Sequence, residues 1–73
     1  MLSKAIAYLE SKSTEVLYVR QMDREGRKVY KIEVKTTKGK TELFQLRGLS
    51  LWHHNVTLGK GIEENLIFTF SEQ

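Results

Sequence analysis

The stretch EVLYVRQMDREGRKVYKIEVK, residues 15–35, decides the fold class. Its β-branched and aromatic residues alternate with polar ones on both sides of the short segment DREGR, residues 23–27, in which Gly26 can adopt a positive φ. Alternation with period two is typical of half-buried strands, and a short connection makes neighbouring strands antiparallel. The sequence therefore predicts a hairpin formed by the strands Glu15–Met22 and Lys28–Lys35.

The chain after this hairpin continues with apolar runs separated by turns that contain glycine. The segment TKGK, residues 37–40, repeats the turn chemistry around a second glycine. Two more apolar runs flank the loop Leu58–Glu64. The pattern predicts a meander of four to five antiparallel strands, the later ones being Thr41–Arg47, Leu51–Thr57 and Asn65–Phe70.

The chain before the hairpin has a different period. Leu2, Ala5, Ile6 and Leu9 follow the i, i+3, i+4, i+7 spacing of one helix stripe, and Ser3 is available as an N-cap. The polar run at residues 11–14 is poor helix material, so we expect a helix within residues 2–12. An isolated helix of about ten residues is marginal in water, so it should pack on one face of the sheet. Residues 1–73 are predicted to form a single α+β domain.

The alternation also predicts the core. A register that places Leu17 and Val19 opposite Ile32 and Tyr30 gives one apolar face. A second apolar row, with Trp52 and Val56 opposite Leu66, Phe68 and Phe70, joins that face if a bulge lies near Gly48, since glycine tolerates bulges well. The residues expected to be mostly buried are Ile6, Leu9, Ile32, Phe44, Leu46, Phe68 and Phe70.

Composition argues against several classes of protein. The 73 residues contain no cysteine, which removes disulfides and thiolate metal sites and favours a reducing compartment. The N-terminal segment resembles neither a signal peptide nor a membrane span, so we expect a cytoplasmic domain without membrane contact. No catalytic spacing occurs, and His53 and His54 should point to opposite faces of a strand, which separates them as metal ligands. We therefore expect that the domain is not an enzyme and that it binds no cofactor, metal or small-molecule substrate.

Charge is distributed unevenly along the chain. Residues 20–47 carry nine Lys and Arg against four Asp and Glu, a net charge of +5, whereas residues 1–19 are neutral and residues 48–73 carry −2. The face of the sheet opposite the helix should combine these cations with Tyr18. Nucleic-acid binding needs cations for phosphates and exposed rings for stacking. The candidate nucleic-acid-binding residues, for DNA or RNA, are Tyr18, Arg20, Arg24, Arg27, Lys28, Lys31, Lys35, Lys38, Lys40 and Arg47, with the first two hairpin tips clamping the backbone.

The same face supports a second interpretation. Val16, Tyr18, Val29 and Leu43 would form an apolar strip of the kind that marks protein contact sites. A sheet of about five strands also leaves two edges, and pairing of one edge would make a homodimer. The sequence therefore predicts a small binding module for nucleic acid or, alternatively, for a protein partner, and it does not separate the two.

Overall fold

The computed structural model describes residues 1–12 and 14–71. One N-terminal helix precedes a five-stranded antiparallel sheet, and the strands lie side by side in chain order. The α+β meander expected from the sequence is therefore confirmed. The elements are α1 (Leu2–Ser11), β1 (Glu15–Arg24), β2 (Arg27–Lys35), β3 (Thr41–Arg47), β4 (Ser50–Thr57) and β5 (Gly61–Thr69).

Helix α1 begins two residues earlier than an N-cap at Ser3 would allow. Met1 is the N-cap and makes no side-chain capping bond; its carbonyl accepts backbone N–H bonds from Lys4 and Ala5 at 3.1 Å. At the other end the hydroxyls of Ser11 and Thr14 donate to backbone carbonyls of the last turn, as short polar side chains do where helices end. Across residues 1–12 and 14–71, no helix has the length and apolarity needed to cross a membrane.

The turn between β1 and β2 is tighter than the sequence suggested. Arg24 pairs with Arg27, which leaves only Glu25 and Gly26 in the loop, with φ of 51° and 79°. Positive φ at both central residues is the signature of a type I′ turn, whose twist matches that of the flanking strands. The next turn, around Gly39, is closed by a bond from Thr36 N–H to the Lys40 carbonyl at 2.8 Å.

A bulge in β1 changes the predicted register. The pairing shifts between Val16 and Tyr18, so Leu17 is left unpaired and exposed at the sheet edge. Val19 lies opposite Ile32, where Leu17 was expected. Val16 moves to the helix side and packs against the core, because an extra residue reverses the alternation of every side chain before it.

A second bulge lies in β5, and none is present at Gly48. Arg47 pairs with Ser50 across a two-residue turn, so the alternation continues unbroken into β4 and Trp52 lies opposite Gln45. The pairing then shifts from Leu51 with Phe68 to Trp52 with Leu66, which leaves Ile67 unpaired. The predicted apolar row is therefore divided: Phe68 and Phe70 face the helix, whereas Trp52, Val56 and Leu66 lie on the other face.

The last strand is also longer than predicted. It begins at Gly61, within the segment expected to be loop, and a bond from Lys60 N–H to the Thr57 carbonyl closes the turn at 3.1 Å. Ile62, Glu63 and Glu64 are consequently strand residues.

The core lies between α1 and the sheet. Of the predicted core residues, Leu9, Ile32, Phe44, Leu46 and Phe70 are buried. Ile6 is half-buried, and Phe68 is 42% exposed although its ring stacks on Tyr8 at 4.9 Å. Phe68 is only partly covered because β5 is an edge strand with no neighbour on its outer side. The buried apolar cluster comprises Ala5, Leu9, Ile32, Val34, Phe44, Leu46, Leu51 and Phe70.

Candidate nucleic-acid interface

The face of the sheet opposite α1, which we call the open face, is organised in rows. Residues paired across neighbouring strands share a face. One row runs through Arg20, Lys31, Gln45, Trp52 and Leu66. The next row toward the β2–β3 turn is Tyr18, Glu33, Leu43, His54 and Glu64, and the row on the other side is Met22, Val29, Arg47, Ser50 and Thr69.

The structure separates the ten candidate residues into two groups. Strand alternation places Tyr18, Arg20, Arg24, Arg27, Lys31, Lys35 and Arg47 on the open face. Lys28 pairs with Asp23 at the β1–β2 end, and Lys38 and Lys40 belong to the β2–β3 turn at the other end. The nine residues of β2 span about 26 Å. The two hairpin tips therefore lie at opposite ends of the sheet and do not form the single clamp that was expected.

A groove lies at the β1–β2 end of the sheet, beside the open face. Its volume is about 570 Å³, and its charged lining residues are Arg24, Glu25, Arg27, Lys28 and Arg47. Four cations face one carboxylate there. We call the site formed by Arg24, Arg27, Lys28 and Arg47 the basic groove, and its composition suits an anionic ligand.

Most cations at this end have no carboxylate partner. Among residues 1–12 and 14–71, Arg47 is the only Lys or Arg seen in an ion pair, its Nη2 lying 2.7 Å from Oε2 of Glu64, apart from any contact of Lys4. The cations near the basic groove that lack such a partner within the described chain are Arg20, Arg24, Arg27, Lys28 and Lys31. Their charge is therefore available to a ligand.

Arg47 is held in place by its neighbours. Its guanidinium carbon lies 4.7 Å from the centre of the Trp52 ring, a cation–π geometry, while Glu64 bonds the same group. On the same face, Gln45, which pairs with Trp52, is 2% exposed, and Val29, which pairs with Arg47, is 4% exposed. The side-chain atoms Gln45 Oε1 and Arg47 Nε are buried, and no described residue offers either of them a hydrogen bond. Arg47 thus forms a fixed wall of the groove.

Two aromatic rings occupy the open face. Tyr18 is 47% exposed and makes no ring contact with any described residue. Trp52 is half-buried, and Arg47 covers one side of its ring. The rings lie three strands apart, roughly 14 Å across the sheet. Tyr18 is therefore the ring available for stacking.

Sequence reasoning missed Trp52 because it assigned this residue to the core. The signal was present in the turn: a two-residue connection at Gly48 keeps the alternation from β3 to β4 and places Trp52 on the same face as Gln45 and Arg47.

The apolar strip that was expected from Val16, Tyr18, Val29 and Leu43 is not formed. Val16 faces the helix and Val29 is covered, so Tyr18 is the strip's only residue with a strongly exposed side chain.

The two histidines lie on opposite faces, as predicted from alternation. His53 faces the helix side, with Nε2 3.4 Å from Oε2 of Glu42, and His54 lies on the open face, with Nδ1 3.5 Å from Oε2 of Glu64. Both line a cleft between β3 and the projecting end of β4. The described ranges contain no group of three or more His, Cys, Asp or Glu that could hold a metal ion.

Comparison with known proteins adds no relative to this description. The chain matches no protein-family model, no curated protein and no solved structure. Its function must therefore be argued from the open face and the sheet edges.

Proposed function

We propose that this domain binds single-stranded nucleic acid, with phosphates in and beside the basic groove and a base stacked on Tyr18. The observation that carries the proposal is a set of five cations on and beside the open face that have no carboxylate partner among the described residues. They are Arg20, Arg24, Arg27, Lys28 and Lys31. Phosphate contacts dominate the affinity of such proteins. A clustered, uncompensated set therefore supports this function better than the net charge of +3 does.

The arrangement of the groove supports the same function. Arg47 is fixed by Trp52 and Glu64, so less side-chain freedom is lost when it meets a phosphate. Arg24 and Arg27 lie opposite each other across the turn and border the same groove. Arg20 and Lys31 continue the positive charge along the sheet toward Tyr18, which offers a ring to an unpaired base.

The proposal is tested by fluorescence anisotropy with short labelled DNA and RNA single strands over a range of salt concentrations. Contacts to about three to five phosphates predict a slope of log affinity against log salt of about −2 to −3.5. Arg24→Glu should weaken binding and make the slope shallower. The matched control is Lys38→Glu, an equal change of charge at the opposite end of the sheet, which should have a smaller effect.

Stacking is tested separately. Tyr18→Ala should weaken binding by about 1–3 kcal/mol while leaving the salt slope nearly unchanged, since stacking releases few ions. Equal effects of Arg24→Glu and Lys38→Glu would show non-specific attraction. Affinity that is independent of salt, or no binding at about 50 mM salt, would refute the proposal.

Self-association is a second candidate function, and a different surface favours it. Every residue of β5 is exposed, and the strand carries Ile62, Leu66, Ile67 and Phe68. An edge strand with exposed apolar side chains is a template for pairing with another chain.

A further inference from the structure

Both edges of the sheet present exposed apolar side chains. On β1 these are Leu17 and Tyr18, and on β5 they include Ile62, which is 64% exposed, and Leu66. Within the described part of the chain, each edge strand has unpaired backbone groups along its outer side, because β1 and β5 are the two ends of the strand order. The partner that satisfies such groups is another extended strand.

The strand count determines how a second copy can bind. Neighbouring strands are antiparallel throughout, so β1, β3 and β5 run in the same direction. A copy placed alongside, with its helix on the same side of the sheet, presents its β1 parallel to β5. A copy rotated by half a turn in the plane of the sheet instead presents its own β5, antiparallel.

The side chains of the parallel arrangement are complementary. When Glu64 lies beside Arg20 of the next copy, residues of the open face remain aligned on both strands. Ile62 then lies beside Tyr18, and Leu66 beside Met22. Glu64 bonds Arg47 through Oε2, which leaves Oε1 for the guanidinium of Arg20, a group without a carboxylate partner among the described residues.

The rotated arrangement lacks this complementarity. Strand β5 contains Glu63 and Glu64 and no Lys or Arg. Two β5 strands side by side would contribute four carboxylates, and neither strand would contribute a cation. Like charges close together across paired strands are unfavourable.

We propose that copies of this chain associate head to tail, with β5 of one copy pairing in parallel with β1 of the next, so that their sheets become continuous. Such an interface uses different surfaces on the two partners, so it builds a closed ring or an open filament. The pairing engages Tyr18 and Arg20, which the proposed nucleic-acid function also uses, and leaves the basic groove uncovered. The assembly itself needs no nucleic acid, so it is tested separately on the protein alone.

The first test is the molar mass in solution, measured by size-exclusion chromatography with light scattering over a range of concentrations. Head-to-tail pairing predicts species larger than a dimer. Tyr18→Asp, on the β1 edge, and Ile62→Asp, on the β5 edge, should each give monomers. The control is Leu58→Asp, which changes an apolar residue that is 99% exposed in the β4–β5 turn and should leave the assembly intact.

Mixing the two variants distinguishes the arrangements. Each variant keeps one intact edge, so an equimolar mixture of Tyr18→Asp and Ile62→Asp should form a dimer with one functional interface. If Tyr18→Asp fails to fold by circular dichroism, Arg20→Glu replaces it, because this change places a carboxylate beside Glu64. A wild-type dimer that Tyr18→Asp leaves unchanged would indicate pairing of β5 with β5 and overturn the proposal. A wild-type monomer at about 1 mM protein, or loss of assembly in Leu58→Asp, would overturn it too.

Discussion

The two faces of this sheet bury residues in different ways. On the helix side, α1 covers an apolar layer in which Ile32 and Leu51 are fully buried. None of the described elements forms a second layer over the open face, yet Val29 and Gln45 are nearly as inaccessible there. Arg47 lies over Trp52 and is bonded to Glu64, and long charged side chains of this kind can cover their neighbours.

The two modes of burial differ in what they leave unsatisfied. The atoms Gln45 Oε1, Arg47 Nε and His54 Nδ1 are buried without a hydrogen-bond partner among the described residues, and all three belong to the open face. Unsatisfied buried polar atoms cost about 1–3 kcal/mol each. The buried apolar layer on the helix side therefore stabilises the fold. On the open face, buried polar side chains occupy positions where apolar side chains would give a larger free energy of unfolding.

The largest expected effect lies on the helix side. Ile32→Ala removes a fully buried side chain and should lower the free energy of unfolding by about 2–5 kcal/mol. A small domain has a total stability of about 5 kcal/mol, so this variant can fail to fold. Urea denaturation measures the change, and Ile32→Val, with an expected loss of about 0.5–1.5 kcal/mol, provides a milder version. Unchanged stability in both variants would contradict the core assignment.

A smaller effect is expected at the edge of the same face. Phe68 stacks on Tyr8 and contacts Phe70, but it is substantially exposed. Phe68→Ala should therefore cost about 1–3 kcal/mol, less than the 3–5 kcal/mol of a fully buried phenylalanine. Thermal melting of Phe68→Ala and of Phe44→Ala compares the two losses of stability, because Phe44 is a buried ring on the central strand. Equal losses would mean that β5 is covered more completely than the structure indicates.

The open face should respond in the opposite direction. Gln45→Leu replaces a buried amide whose oxygen has no partner with an apolar side chain of similar size. Its free energy of unfolding should rise by about 1 kcal/mol. The urea midpoints of the wild type and the variant show whether the free energy of unfolding rises or falls. A clear loss of stability would show that the amide is satisfied in solution.

The smallest effect concerns Glu64. Its bond to Arg47 lies at the surface, with about a third of each side chain exposed, so Glu64→Gln should cost about 0.2–1 kcal/mol, diminishing as salt rises. Denaturation at low and high salt measures this dependence. A loss that salt does not alter would point to packing of the Glu64 side chain as the cause.

Local chemistry was sufficient to predict much of this fold. The change of hydrophobic period near Thr14 separates helix from sheet, and Gly26 and Gly39 mark the first two turns. The bulges at Leu17 and Ile67 gave no such signal, because both fall at apolar residues inside strands and not at glycine. The bulge at Leu17 moves Val16 to the helix side, and the bulge at Ile67 separates Leu66 from Phe68. Trp52 was misplaced for a different reason, because the bulge expected near Gly48 is absent.

The candidate site was predictable in composition but not in shape. The nine Lys and Arg residues at positions 20–47 indicate a basic region. Which of them come together depends on the meander, since it sends successive turns to opposite ends of the sheet. The pairing of Arg47 with Glu64 joins residues 17 positions apart and required the register of β3, β4 and β5.

The meander has a consequence for the kinetics of folding. Every pair of adjacent strands is consecutive in the chain, so each hairpin closes a short loop and none waits for a distant segment. Topologies dominated by such local contacts fold faster than sheets built from distant pairings. The 73 residues also contain no proline, so prolyl isomerisation adds no slow phase. Refolding after a urea jump should be a single exponential within milliseconds to seconds.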